Sequence, residues 1–546
     1  MKLIRELLRL QEERGFLSDD TLREVSERWR VPFYRLEGLV SFYTHFRRTL
    51  PPESTELVCR DVCCAMAPNH IRMDGEDQTL EYKPRTDSGT DETREVSCLG
   101  RCDQAPATGT ETTVEGHRTT LFPHLMGVSP IGEKCDPRKS GVGPYETIKQ
   151  LAHEVDRLKR TCIDRLSAAG LKGMGGAGFP TGRKWEMVAA ARVNPPVVDE
   201  YALVDHQAKV ARKYVICNAD ESEPGTFKDR EILAQLPHLV IEGMVLAGLT
   251  IGAERGILFI RHEYAQERQR FEEELQRARE AGVLGDDAAG SGGAFDIEVF
   301  VSPGGYILGE ETALLECLED KRGEPRNKPP YPGQRGLWGQ PTLINNVETF
   351  ALATAIIHHG VEWWHEQGKD GFSGLKFVCI SGDVERPGVF EIPVGTTVGE
   401  LVAMAGGVRN GKTLKAFLPG GASSNFLPAD KVDTPLDFDA IRAAGSMLGT
   451  GAVIVFDETR NLFPLATNLV KFFRNESCGK CVPCRIGSQR AVENLEAAEA
   501  GERTFQPSIL EELNETLEQT SICGLGQVAL HPVISMLKHF PNEADV

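Results

Sequence analysis

Three cysteines, Cys478, Cys481 and Cys484, stand two residues apart in "NESCGKCVPCRIGS". That spacing lets three thiolates converge on one point from a single loop. Zinc is usually held by paired C-x2-C knuckles or by Cys/His sets, whereas an uninterrupted triplet suits a [4Fe-4S] cluster. A fourth ligand is needed, and "TSICGLGQVAL" offers Cys523 in a glycine-rich loop farther along the chain. Lys480 and Arg485 stand by to offset negative charge. A second group is written differently: Cys59-x4-Cys64 and Cys98-x3-Cys102, each pair on a loop after an expected strand. Two pairs from two loops suit a [2Fe-2S] rhomb, one pair to each iron. Spacing alone admits Cys63 in place of Cys64, and a structural zinc site is the alternative for both groups. Of the 14 cysteines, the remaining six (Cys63, Cys135, Cys162, Cys217, Cys317, Cys379) read as small buried hydrophobes.

Clusters that move single electrons need a donor and an acceptor at their ends, and four loops upstream have the residues for one. "GLKGMGGAGFPTGRKWE" contains G-x-G-x-x-G at Gly173, Gly175 and Gly178, but a helix pattern precedes it. The dinucleotide fingerprint requires a strand there, so a backbone cradle for a phosphate or flat ring is the reading, with Lys184 as a nearby cation. "ICNADESEPGTFKDRE" places Asn218, Asp220, Glu221 and Glu223 after an expected strand, at the edge where α/β sheets bind ligands. "SPGGYILGEETALLECLE" adds Tyr306, Gly309, Glu310 and Glu311; simple helix capping is the bland alternative for the two glutamates. "NKPPYPGQRGLWGQPTLINNVET" adds Tyr331 and the amides Asn345 and Asn346. Carboxylates without a basic cluster suit ribose hydroxyls better than an extra phosphate, which favours NAD over NADP.

The elements that must position these loops follow from periodicity and breakers. Residues 1–50 read as short amphipathic helices, restarting after Ser18 and Pro32. Residues 51–140 hold the first two cysteine loops, with Gly109–Pro144 expected as a linker or irregular segment. Residues 145–370 alternate helix and strand signals, including one long helix over "YETIKQLAHEVDRLKRTCIDRLSAAG". Residues 371–430 form a small α+β module, and residues 431–546 are expected to be mostly helical. The fold class is therefore multidomain α/β with a helical start and a helical, cysteine-bearing end.

Composition bounds the function. With 546 residues, 40% apolar and 26% charged, the chain has room for several cores and the make-up of a globular protein. A net charge of −19 argues against nucleic acid. No long uninterrupted apolar run and no signal peptide are present, so direct membrane insertion is not expected and the location is read as cytoplasmic.

Five motifs, "GMGGAGFPTGRKW", "CNADESEPGTFKDR", "GEETALL", "INNVET" and "ESCGKCVPCRIG", together resemble the NADH-binding flavin subunit of respiratory complex I and its counterparts in NAD-linked hydrogenases and formate dehydrogenases. The N-terminal 130 residues, with "CLGRCDQAP", resemble the thioredoxin-like [2Fe-2S] subunit that accompanies it. Having both in one chain resembles the β subunit of soluble, molybdenum- or tungsten-containing NAD-dependent formate dehydrogenases. The resemblance implies a thioredoxin-like [2Fe-2S] domain, a Rossmann-like FMN/NADH domain, a β-grasp (soluble-ligand-binding) module and a helical [4Fe-4S] bundle. It implies FMN against Gly173, Gly175, Lys184, Asn218, Asp220, Glu221, Gly309, Glu310, Asn345 and Asn346. NAD(H) would lie near Gly176, Phe179, Lys184, Glu223, Glu311 and Tyr331, with Glu223 on the adenosine ribose. Cys64 rather than Cys63 becomes the [2Fe-2S] ligand. Two positions depart from the complex I pattern: Met174 stands where that flavin protein has Arg, and Tyr331 where it has Phe. The expected activity is a diaphorase: hydride between NAD(H) and FMN, then single electrons through the clusters. Its partner would be the catalytic iron–sulfur/molybdopterin subunit of a hetero-oligomeric dehydrogenase. A bidirectional hydrogenase or complex I is the alternative setting, and a zinc-stabilised scaffold the remote one. No side chain is expected to act as acid or base; the residues position.

Overall fold

The first helices follow their apolar spacing. Lys2–Arg14 buries Leu3, Leu7 and Leu10 on one face, and Asp19–Trp29 starts where Ser18 Oγ accepts the Thr21 N–H at 3.1 Å. Phe33–Phe42 follows Pro32. The computed structural model describes residues 2–50, 52, 54–67, 91–114, 117–121, 130–195 and 212–544.

Three sheets carry the rest. The first contains β1 (Ser54–Cys59), β2 (Asp91–Val96), β3 (Thr108–Val114) and β4 (His117–Leu121) in the order β2-β1-β3-β4. β1 runs parallel to β2 and antiparallel to β3, so the chain leaves β1 and β2 at the same edge and both cysteine loops meet there. The segment expected as a linker instead supplies the β3–β4 hairpin. Thr108, Thr110 and Thr112 of β3 are β-branched and fit a pleated surface, an effect that outweighs their reading as loop formers. Residues 115–116 and 122–129 of that expected linker lie outside the described residues.

The second sheet is wholly parallel, with β5 (Lys213–Ala219), β6 (Ala253–Arg261), β7 (Asp296–Ser302) and β8 (Thr342–Asn346) in the order β7-β6-β5-β8. The helices Pro237–Ile251 and Val347–His359 are buried almost all round, as a sheet covered by helices requires. Parallel strands put all their carboxyl ends on one edge, where the loops after β5, β7 and β8 gather. The single long helix expected before the glycine loop is two, Glu146–Ala152 and Val155–Ala169. The buried Glu242 carboxylate receives the Ile148 N–H at 2.9 Å and anchors the shorter one.

The third sheet holds β9 (Leu375–Gly382), β10 (Gly388–Pro393), β11 (Leu414–Leu418), β12 (Leu427–Pro428) and β13 (Ala452–Asp457), ordered β10-β9-β13-β11-β12. A capping box at Thr397 and Glu400 starts the helix Val398–Met404 beside it. Central β13 comes from the region expected to be mostly helical. All six of its residues are buried, and so short an apolar run has no period that separates strand from helix. The chain ends in the helices Leu462–Glu476, Val482–Glu499, Pro507–Thr520, Gly524–Val528 and His531–His539. Among the described residues no single helix is long and apolar enough to cross a membrane. The one pair that passes by length, Lys228–Gln235 with Pro237–Ile251, is bent by 93°.

Candidate functional site

The glycine loop lies between the helices Val155–Ala169 and Thr181–Ala190 and is closed on itself. Gly173 N–H donates to Phe179 O, and Thr181 N–H to Leu171 O, both at 2.8 Å. Gly175 rests against the end of β8: a Cβ there would stand 3.1 Å from Asn346 Cβ. Gly176, with φ +106°, faces Gly449 of the third sheet's loops. Lys184 reaches back to donate to Ile344 O at 3.1 Å and lies 5.9 Å from the Phe179 ring centre; burial pulls its amine below the usual lysine range. Trp185 Nε1 donates to Asn345 Oδ1 at 3.3 Å.

The acidic loop leaves β5 at Asn218, whose amide donates to Gly309 O at 2.9 Å and accepts the Asp220 N–H at 3.2 Å. Asp220 takes the Ser222 hydroxyl at 2.7 Å, and burial pushes its carboxyl up to about 6. Glu221 accepts N–H groups of Asp229 (2.9 Å) and Arg230 (3.1 Å), capping the helix Lys228–Gln235, and the Tyr264 hydroxyl at 2.9 Å. Burial and the neighbouring Asp229 carboxylate push it well above the usual range. Glu223 is held from two other parts of the chain, by the Tyr306 hydroxyl and the Ser423 N–H, each at 2.6 Å. Burial raises it as well.

The third loop turns through Gly304 and Gly305 at φ +91° and +122°. Glu310 is indeed a helix cap, its carboxylate taking Thr312 N–H at 2.8 Å and Ala313 N–H at 2.9 Å. Lys328 bridges Glu310 and Glu311, 2.8 Å from each. Asn346 is spoken for on both ends: Oδ1 accepts from Glu348 N–H (3.0 Å) and Lys228 Nζ (3.1 Å), and Nδ2 donates to Asp229 at 2.5 Å. Phe179 and Tyr331 are exposed aromatics, 39% and 55%.

These loops therefore meet at the carboxyl edge of the parallel sheet. Gly173, Gly175, Lys184, Asn345 and Asn346 gather at β8, while Asn218, Asp220 and Gly309 gather at β5. Glu223 and Tyr306 pair off toward the third sheet, and Glu311 with Lys328 stands at the rim. The edge fits a flavin mononucleotide: Gly309 leaves no room for a Cβ without 3.3 Å contact to Asp220 O, and Asp220 Oδ2 is buried without a partner in ordinary hydrogen-bond geometry. Sequence reasoning passed over Lys228, Asp229, Tyr264, Lys328, Glu348 and Ser423. Lys228 and Asp229 lie in the "FKDRE" that ends the acidic motif, and Lys328 and Glu348 in the "NKPPY" and "INNVET" of the fourth loop; Tyr264 and Ser423 arrive from distant segments.

The first cysteine group collects at the end of the first sheet. Cys59 ends β1, Cys64 lies on the short helix Val62–Ala65, Cys98 follows β2 and Cys102 opens a turn. The sulfurs of Cys98 and Cys102 are 3.6 Å apart. Backbone N–H groups point at three of the four: Gly100 at Cys98 (3.4 Å), Ala107 at Cys64 (3.3 Å) and Gly225 at Cys102 (3.3 Å). Such donors suit the negative sulfurs of a cluster. Cys63 meets the Ser381 hydroxyl of β9 at 3.4 Å and also lies beside the Cys102 thiol. The other five unassigned cysteines are buried, as expected.

In the second group Cys478 follows the helix Leu462–Glu476, Cys481 caps Val482–Glu499, Cys484 sits in its first turn and Cys523 caps Gly524–Val528. The fourth cysteine's loop is next to the triplet: a Cβ on Gly526 would stand 3.0 Å from Cys484 Cβ. Two helix N-termini favour thiolates there. Burial pushes the Cys484 thiol up to about 11 and that of Cys523 up to about 12. Lys480 donates to Pro325 O at 2.6 Å, tying the triplet to the Lys328 loop. Among the described residues no three His, Cys, Asp or Glu side chains are drawn together as a site for a single metal ion.

Four family models match the chain. They are a thioredoxin-like [2Fe-2S] ferredoxin over residues 1–120, a Nuo51 FMN-binding domain over 166–355, an SLBB domain over 377–424, and the NADH-ubiquinone oxidoreductase-F iron-sulfur binding region over 464–546. The second NADH-quinone oxidoreductase-F protein of Rhizobium meliloti is 43% identical over 383 residues, 70% of this chain and 87% of that one. The NADH-quinone oxidoreductase-F protein of Escherichia coli is 41% identical over 390 residues, covering 70% and 83%. The NADP-reducing hydrogenase subunit HndC of Solidesulfovibrio fructosivorans is 39% identical over 383 residues, covering 70% and 74%. A chain of an air-oxidized NAD+-reducing [NiFe]-hydrogenase superposes with a TM-score of 0.79 at 30% identity, over 99% of this chain and 92% of that one. The chain belongs to the NADH-quinone oxidoreductase-F family of FMN- and iron–sulfur-binding oxidoreductases, continuous here with a thioredoxin-like [2Fe-2S] domain.

Proposed function

We propose that this chain is the diaphorase subunit of a soluble NAD-dependent formate dehydrogenase, exchanging hydride with NAD(H) and single electrons with a molybdopterin-type partner. Gly173, Gly175, Lys184, Asn218, Asp220, Gly309 and Asn345 would hold FMN. Glu221, Glu310 and Asn346, fixed as caps and ion-network members, would hold that edge in shape. FMN, when bound, converts between two-electron hydride chemistry and one-electron transfer. The protein's part is binding and orientation. Phe179 and Tyr331 present exposed faces on which a nicotinamide nucleotide can stack. Glu223, clamped by Tyr306 and Ser423, would accept ribose hydroxyls and repel a 2′-phosphate. Cys478, Cys481, Cys484 and Cys523 would hold the [4Fe-4S] cluster, and Cys59, Cys64, Cys98 and Cys102 the [2Fe-2S] cluster.

One observation carries the reading. Tyr306 donates its hydroxyl to Glu223, its N–H reaches Glu476 at 2.8 Å, and its ring lies 5.0 Å from that of Phe472. A single residue thus joins the nucleotide loop to the helix that delivers Cys478. Continuity of the [2Fe-2S] and flavin parts in one chain is the ground for reading formate as the second substrate, and it is shared by the hydrogenase chain, which superposes over 99% of this one and 92% of its own. The overlay on the hydrogenase chain over 99% of this one supports H2 as the second reading. The test is purification with native partners, metal analysis, and NAD+ reduction by formate against H2. Formate-dependent reduction with molybdenum or tungsten supports the first. Nickel with H2-dependent reduction replaces it with the second.

A further inference from the structure

A buried ionic quartet lies under the glycine loop. Lys228 Nζ is 2.7 Å from Asp229 and 3.0 Å from Glu348, and Lys376 Nζ is 3.4 Å from Glu348. All four side chains are at most 4% exposed. Lys228 and Asp229 come from the acidic loop's helix and Glu348 from the helix after β8. Lys376 comes from β9 of the third sheet. Its amine ends 3.7 Å from the Met174 sulfur, in the middle of the glycine loop, whose Met174 N–H is pinned to Thr349 Oγ1 at 2.9 Å. The backbone makes room for it: at Gly451 (φ +81°) a Cβ would fall 2.5 Å from Lys376 Cε. Beside it, Phe377 N–H donates to the other Glu348 oxygen at 2.9 Å.

Two lysines and two carboxylates balance, so the quartet is neutral as built. Replacing buried ion pairs with packed apolar groups is often neutral or stabilising, so stability alone does not account for a lysine in a buried strand. What the lysine does supply is a second cation besides Lys184, placed under the centre of the backbone cradle where Met174 stands. We propose that Lys376 is a positioning residue for the flavin reaction: a buried cation, supplied by the third sheet, that sets the reduction potential of FMN bound on the glycine loop. This rests on the flavin reading above. A reduced flavin carries more negative charge than an oxidised one, so a cation below it binds the reduced form preferentially.

The test is spectroelectrochemistry of the FMN-loaded full-length protein, wild type against Lys376→Met, Lys376→Arg and Glu348→Gln. Lys376→Met leaves the quartet one charge negative, and the expected shift is to a lower potential. A tenfold loss in the preference for reduced flavin reads as about 30 mV for a two-electron couple. Lys376→Arg keeps the charge and is expected near wild type. Glu348→Gln leaves the quartet one charge positive while keeping an acceptor for Phe377 N–H, and is expected to shift the potential upward. Opposite signs for Lys376→Met and Glu348→Gln support an electrostatic role. Equal potentials in all four proteins, or shifts of the same sign in both, overturn it. Should Lys376→Met fail to fold, Glu348→Gln decides alone, an unchanged or lowered potential refuting the proposal. A well-folded wild type that takes up no FMN refutes the flavin reading itself, and is a different result.

Discussion

Arg230 is the sharpest place to test how the [2Fe-2S] loop is held to the nucleotide loop. Its guanidinium is fully buried and forks onto Asp103, at 3.1 and 2.7 Å. It also donates to Gly100 O at 2.6 Å and to Glu231 at 2.9 and 3.1 Å. Gly100 and Asp103 flank Cys102, whereas Arg230 belongs to the helix capped by Glu221. Arg230→Met keeps much of the volume and removes the charge, leaving Asp103 and Glu231 as poorly compensated carboxylates and Gly100 O without its donor. Breaking one side of a buried pair costs about 3–5 kcal/mol. At about 1.4 kcal/mol per power of ten, that is about two to three and a half powers of ten in the opening of the Cys98–Cys102 loop. Hydrogen exchange over residues 98–104, with the rate of iron release to a chelator, reads this directly. Arg230→Lys is expected between wild type and Met, because an ammonium cannot reproduce the fork. Adding Asp103→Asn to Arg230→Met should recover part of the loss, a coupling of about 0.5–3 kcal/mol. Exchange in Arg230→Met within threefold of wild type, or strictly additive double-variant costs, would refute the claim that this ion network holds the two loops together.

Three further outcomes follow from the same geometry. Cys481→Ser is expected to abolish the [4Fe-4S] EPR signal while NADH still bleaches the flavin; two intact cluster signals would void the ligand assignment. Gly100→Ala puts a Cβ 2.5 Å from the Tyr264 hydroxyl at φ +67°, so the protein should lose [2Fe-2S] absorbance yet keep its flavin, as measured by iron and FMN content. Asp220, pushed up to about 6 by burial against an ordinary 3.8, binds its proton more tightly folded than unfolded. Its contribution to stability is therefore fully present below about pH 4 and is lost as pH rises to about 6. Asp220→Asn should match wild type in denaturant titrations at pH 4 and exceed it at pH 7, and an equal gain at both would show that the carboxyl is not desolvated.

The chemistry was legible in the sequence because ligand spacing is local. The cysteine triplet, the spacing within each [2Fe-2S] pair, Asn218 at a strand end and the Ser18 cap all declare themselves within a few residues. What was hidden depends on long-range pairing. β13 is a six-residue apolar run whose strand identity comes from lying between β9 and β11, and the β3–β4 hairpin is threonine-rich sequence whose conformation is decided by β1. The surroundings of Asn346 were hidden for the same reason: Lys228 lies 118 positions away, and Glu348 recruits Lys376 from another sheet. Choosing Cys64 over Cys63 was beyond spacing too, since adjacent cysteines are separated only by which face of a short helix each occupies. The Ala107 N–H points at Cys64, while Cys63 lies between the Ser381 hydroxyl and the Cys102 thiol, so both adjacent thiols border the same group.

The two readings of the acidic residues, helix caps or ligand edge, turn out not to compete. Glu221 and Glu310 each spend oxygens on the first N–H groups of a helix, and Asn346 caps a third. A carboxylate fixed by two backbone donors has lost its rotamer freedom before any ligand arrives, so the ordering cost is met during folding and not on binding. The same logic explains why these groups are tied to remote cations and hydroxyls, Lys328 on Glu310, Tyr264 on Glu221 and Lys228 on Asn346. Each tie joins a ligand-edge residue to a side chain that is not itself among those expected to contact the flavin. Disturbing Tyr264, Lys228 or Lys328 should therefore alter flavin binding without removing any group expected to contact the flavin, which is how a site assembled from caps differs from one assembled from mobile side chains.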